Sequence, residues 1–138
     1  MTEARSTRLD RNLRLAVYVV TATLLCSGAL WLAAGFLPQG TATVSMRVHG
    51  AAAMLMLFVT GWAVALHMPA GWREGKNRAS GAILAASLLV LAITGYGLYY
   101  LGDETTRGVF SIGHWLLGFA ALPALAMHAW LGGRKRVV

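Results

Sequence analysis

Four long apolar runs, at about 13–37, 46–68, 79–101 and 108–131, are separated by short polar breaks and use nearly the whole 138-residue chain. Roughly 20 apolar residues in a helix suffice to cross a bilayer. Each run is that long, so the pattern predicts four membrane-spanning helices. Pro38 and Pro69 mark where the first two should stop, and Pro123 should kink the fourth from inside. The first run is too long for a signal-peptide core, and no small-residue cleavage site follows it, so it is read as a retained helix. No internal repeat or low-complexity segment stands out.

The expected fold is all-α, an integral-membrane up-down four-helix bundle, because short connections force each helix antiparallel to the next. Residues 1–12 form a basic arm, 13–131 the transmembrane domain and 132–138 a basic tail. Composition agrees: the chain is 57% hydrophobic and 12% charged, about half the charged fraction of an ordinary soluble domain. No segment remains for a soluble catalytic domain, which places any chemistry in the membrane or at its surfaces.

The net charge of +7 would suggest nucleic acid in a soluble protein, but its distribution argues otherwise. Arg5, Arg8, Arg11 and Arg14 precede the first helix. Arg73, Lys76 and Arg78 lie between the second and third, and Arg134, Lys135 and Arg136 end the chain. Those are ten of the twelve basic residues; the two other connections hold only Arg47 and Arg107. By the positive-inside rule both termini face the cytoplasm. The basic ends also suit anionic lipid headgroups, and no nucleic-acid partner is indicated. Arginine outnumbers lysine ten to two, a composition of GC-rich bacteria. The expected location is therefore a bacterial inner (cytoplasmic) membrane, in multi-pass form.

Cys26 is the single cysteine, so the chain can build no internal disulfide, no thiolate cage and no Cys-x-x-Cys-His attachment site. It is expected to be a small packing residue.

The four histidines carry the candidate chemistry. His49 and His67 bracket the second apolar run, and His114 and His128 the fourth, with none in a loop or tail. These two helices should run in the same direction. His49 and His114 then fall near one membrane face, His67 and His128 near the other, as two pairs across the bundle core. The spacing of 18 residues is five full turns, and that of 14 leaves about 40°. Both histidines on each helix thus share a face. At 1.5 Å per residue they lie roughly 21–27 Å apart, too far to share one metal.

Facing imidazoles suit a flat, mostly apolar ligand with two axial positions, and haem b is such a ligand. Bis-histidine ligation leaves no site for oxygen and favours electron transfer. The expectation is two haems b per chain, ligated by His49 with His114 and by His67 with His128. Gly50, Gly61, Gly113 and Gly118 would let a macrocycle approach, although membrane helices also use glycine to pack together. Arg47 and Arg107 could pair with the propionates of one haem, and Arg73, Lys76 and Arg78 with those of the other. Met68 and Met127 stand beside histidines and are alternative axial ligands. Interfacial snorkelling and ordinary packing would account for the same arginines and methionines.

The stretches "TGYGLYY" and "DETTRGVFSIGHWLLGFAALPALAMHAWLGGRKR" resemble small bacterial four-helix di-haem membrane cytochromes b of the cytochrome b561-like group. The resemblance covers essentially the whole hydrophobic region. It implies His49, His67, His114 and His128 as axial ligands of two haems b. It further implies electron exchange with the quinone pool and with a redox partner protein, in a cytochrome or the cytochrome subunit of a quinone-linked oxidoreductase. The chain departs from hydrogenase-associated and bacterial b561 members in having no histidine in its first helix. Tyr96, Tyr99, Tyr100, Trp72 and Trp115 lie near helix ends, where an aromatic belt would place them. Two other functions stay open: a histidine-relay transporter subunit and a haem-free membrane anchor. The relay is disfavoured because Glu3, Asp10, Glu74, Asp103 and Glu104 all fall outside the four apolar runs.

Overall fold

In a computed structural model describing residues 9–75 and 77–134, the described residues are helical apart from short turns. The helices are α1 (Arg11–Leu32), α2 (Thr41–Leu66), α3 (Met68–Arg73), α4 (Arg78–Tyr100) and α5 (Glu104–Arg134). Four of them, α1, α2, α4 and α5, are long and apolar enough to cross a membrane. The chain divides into two units, Met1–Ala70 and Gly71–Val138. The first holds the α1–α2 hairpin and the second the α4–α5 hairpin.

Local chemistry sets the helix ends. Asp10 caps α1, its carboxylate accepting the Asn12 amide at 3.3 Å. The helix stops at Leu32, short of the expected 37, and a 3₁₀ turn at Ala34–Phe36 follows. Pro38 ends that turn: it holds Leu37 extended (φ −117°, ψ 164°) and offers no N–H for another helical bond. Gly40, at φ +88°, supplies the left-handed residue that turns the chain into α2. α2 begins at Thr41, one turn before the apolar run. α5 likewise begins at Glu104, four residues before its run, on a cap in which the Asp103 carboxylate accepts the Thr106 amide at 2.7 Å.

The second connection differs from the loop expected there, because it contains α3. Pro69 causes the break between α2 and α3: it cannot donate to the Ala65 carbonyl, so the helix interrupts at His67. Arg78 closes this connection by donating to the Trp72 carbonyl from Nε (2.9 Å) and from Nη2, with its guanidinium 5.7 Å from the Trp72 ring centre. α5 continues through Pro123, which leaves the Phe119 carbonyl without its helical donor.

The α4–α5 hairpin is antiparallel and in constant register. Thr94 meets His114, Ser80 meets His128, and Gly97 lies under Phe110. Small residues permit this close approach, as expected where no hydrophobic force drives helices together in lipid. Almost none of the apolar surface is hidden: the most apolar windows of α4 and α5 are 0% buried, those of α1 and α2 11%. Phe58, Leu89, Ile93 and Leu116 are all more than half exposed, which in hydrocarbon carries no penalty. Cys26 is exposed, contrary to the expected packing role. The proposed arm and tail lie largely among residues 1–8 and 135–138, outside the described residues, as does Lys76.

Candidate functional site

Three of the four histidines are seated by the same local device. His49 Nδ1 lies 3.1 Å from Ser27 Oγ and 3.1 Å from the Leu24 carbonyl on α1. His114 Nδ1 lies 2.8 Å from Thr94 Oγ1 on α4. His128 Nδ1 lies 3.0 Å from Ser80 Oγ on the same helix. In each case a glycine follows the hydroxyl residue. A Cβ on Gly28, Gly81 or Gly95 would stand 3.4, 3.3 or 3.2 Å from the Cε1 of the facing imidazole. The hydroxyl takes the ring nitrogen, and the missing side chain admits the ring edge.

The hydrogen-bond partners favour a proton on Nδ1. Ser27 Oγ donates to the Thr23 carbonyl at 2.6 Å, Thr94 Oγ1 to Val90 at 2.8 Å and Ser80 Oγ to Asn77 at 3.2 Å. A hydroxyl has one proton, so one that gives it to the helix carbonyl accepts from the imidazole. For His49 the Leu24 carbonyl leads to the same result, since a carbonyl cannot donate. A tautomer with the proton on Nδ1 accounts for all three contacts, and its other ring nitrogen is Nε2. This is the arrangement of a metal-ligating histidine whose other nitrogen is held by an outer partner.

His67 occupies the C-cap of α2, with helical backbone (φ −91°, ψ −42°) and its amide bonded to the Ala63 carbonyl at 2.8 Å. Its relation to His49 on one helix face is thus retained. In the register set by Ser27 and His49, the position opposite His67 would be Leu9, two residues before α1 begins.

All four histidines are half-buried. Among the described residues, no three His, Cys, Asp or Glu side chains converge on a metal-sized point. Arg47 and Arg107 are exposed, on the second turn of α2 and the first turn of α5. Arg73 is exposed too, whereas Arg78 is committed to Trp72. Met127 is 49% exposed. Tyr96 and Tyr100 stack at 4.3 Å on the exposed end of α4.

Sequence reasoning missed Ser27, Ser80 and Thr94 with their glycines. One signal was available: Ser80-Gly81 and Thr94-Gly95 are 14 residues apart, the same interval as His114 and His128. Of the glycines that reasoning did single out, Gly61 and Gly113 have no atom within 4 Å of an added Cβ, and Gly118 touches only Leu91. No protein family, curated protein or solved structure matches the chain.

Proposed function

We propose that this protein carries electrons across a membrane through two b-type haems. His49 with His114, and His67 with His128, would each hold one haem. In this reading the hairpins combine in an up-down four-helix bundle with both termini cytoplasmic, in a bacterial inner membrane. Electrons pass between the quinone pool and a redox partner protein.

The observation that carries the reading is the set of three imidazoles whose Nδ1 lies within hydrogen-bond distance of a hydroxyl on a neighbouring helix, which suits the Nδ1–H tautomer. That state leaves Nε2 as the nitrogen a metal would take. The donor set fits haem: imidazoles at two depths, on helices with open space beside Gly61 and Gly113. When bound, each haem supplies a one-electron couple, and two axial imidazoles favour electron transfer over oxygen chemistry. The protein's own part is to orient the rings, exclude water with apolar helices, and offer Arg47 and Arg107 to the propionates.

The alternatives account for less. A relay transporter needs imidazoles that pass protons through both nitrogens, yet three have Nδ1 held against a hydroxyl on the adjacent helix. A haem-free anchor has no use for a repeated histidine seat. The test is a dithionite-minus-air difference spectrum of purified protein with a pyridine haemochrome count. Low-spin b-type bands and two haems per chain are expected. Absence of haem after expression with ample haem supply overturns the reading.

A further inference from the structure

We propose that Thr94, Ser80 and Ser27 are positioning residues that set the reduction potentials of the irons through the histidines they hold. The inference rests on the haem reading above. Each hydroxyl forms one link of a chain running from a helix carbonyl, through the hydroxyl, to Nδ1–H. For His114 both steps are 2.8 Å: Thr94 Oγ1 to the Val90 carbonyl and to His114 Nδ1.

Two consequences follow from such a chain. A hydrogen bond to Nδ1–H makes the imidazole more basic at Nε2, which favours the more positive iron. Each hydroxyl therefore holds the potential down. The chain also fixes the ring plane, because Nδ1 must point at the hydroxyl while Cε1 passes over the adjacent glycine. The glycine leaves space for the ring edge and little more, since an added Cβ would stand 3.2–3.4 Å from Cε1.

The three seats should differ in strength. Thr94 makes the shortest bond, 2.8 Å, so its loss should matter most. Ser27 should matter least, because the Leu24 carbonyl, 3.1 Å from His49 Nδ1, keeps an acceptor in place.

The experiment compares T94V, T94A, S80A and S27A, with T94S and S80T as variants that keep the hydroxyl. Haem per chain, midpoint potentials and low-spin EPR g-values are measured on purified protein. In T94V the reduction equilibrium of one haem should move towards Fe(II) by up to about tenfold, roughly 59 mV upward for one electron. T94S should return it to the wild-type value, and S27A should move its haem by less than T94V does. T94A removes the same hydroxyl with less bulk and is read if T94V loses haem. A second readout needs no haem: in ¹⁵N-histidine NMR of the haem-free protein, the Nδ1–H tautomer of His114 should dominate in wild type and fall in T94V.

Haem-containing T94V and S80A with unchanged potentials overturn the inference and leave the haem reading standing. A wild-type chain that takes up no haem overturns both. T94S shifted as far as T94V also overturns the inference, since shape rather than the hydroxyl would then be responsible.

Discussion

Thr94 Oγ1 stands 2.8 Å from His114 Nδ1, and Ser80, 14 residues earlier on α4, repeats the contact with His128 at 3.0 Å. Two imidazoles on one helix are thus held against the next helix at two depths, each with the same nitrogen engaged. A packing histidine is indifferent to which nitrogen it offers. The contact recurs on α1, where Ser27 holds His49, and under the proposed haem reading all three would keep Nε2 as the coordinating atom.

The proposed pairing makes a counting prediction. H49A and H114A should each lower haem from two to one per chain, and the double variant should also retain one. H67A and H128A should remove the other haem and no more. A double H49A/H114A protein with no haem, or single variants removing different haems, would show that the pairs are drawn wrongly. Haemochrome counts and EPR distinguish these cases.

Gly95 offers a more delicate test. A Cβ there lies 3.2 Å from His114 Cε1, so G95A should displace or tilt the ring by a few tenths of an ångström while retaining haem. The EPR spectrum should change, because low-spin g-values follow the relative orientation of the two imidazole planes. G28A, with 3.4 Å available at His49, should change it less. Equal and negligible effects in both would mean that these glycines do not constrain the rings.

How far the sequence discloses this molecule depends on the range of the interaction concerned. Hydropathy finds α1, α2, α4 and α5 because each is long enough to span a bilayer by itself. It misplaces ends such as Thr41 and Glu104, where polar helix turns extend past the apolar run on their own caps. It misses α3, whose six residues carry too short a pattern to read. The histidines stand out by spacing along their own helices. Their hydroxyl partners do not, because Thr94 and His114 meet only through the register of two helices, which neither helix's periodicity specifies. Once that register is known, the Ser-Gly and Thr-Gly pairs become readable.

Gly97 should be required for the hairpin whether or not haem is bound. A Cβ at this position would be 2.7 and 2.8 Å from Phe110 Cε1 and Cδ1, and 3.3 Å from Leu101 Cδ1. Alanine gains about 1 kcal/mol of helix propensity over glycine, but overpacking costs about 1–3 kcal/mol. G97A should therefore lose about 1 kcal/mol net, read by denaturation in bicelles. F110L in the G97A background should recover most of it. A G97A protein more stable than wild type would show that Phe110 moves aside freely.

Orientation can be tested without purification. Ten of twelve basic residues in alternate connections predict a cytoplasmic C-terminus. Alkaline phosphatase, active only when exported, should be inactive fused after Val138 and active fused after Gln39. A fluorescent protein that folds only in the cytoplasm should give the opposite pattern. Reversed signals at both sites would invert the topology and exchange the faces assigned to His49 and His67.

Acid should act on the third connection through Asp103. Its carboxyl is held below the usual 3.8, first by the Thr106 hydroxyl and then by the Thr106 amide, which it accepts at 2.7 Å to cap α5. The folded value is the lower one, so the ionised carboxylate favours the folded chain. That contribution is complete above the unfolded pKa and disappears as the pH falls through the lowered one. D103N keeps a side chain that can cap the helix but cannot titrate there. Thermal unfolding in nanodiscs from about pH 6 to about pH 2.5, spanning the usual aspartate range, separates the two effects. Wild type should be the more stable at the upper end, and the difference should shrink towards zero at the lower. A constant difference across that range would mean that protonation of Asp103 does not weaken the cap.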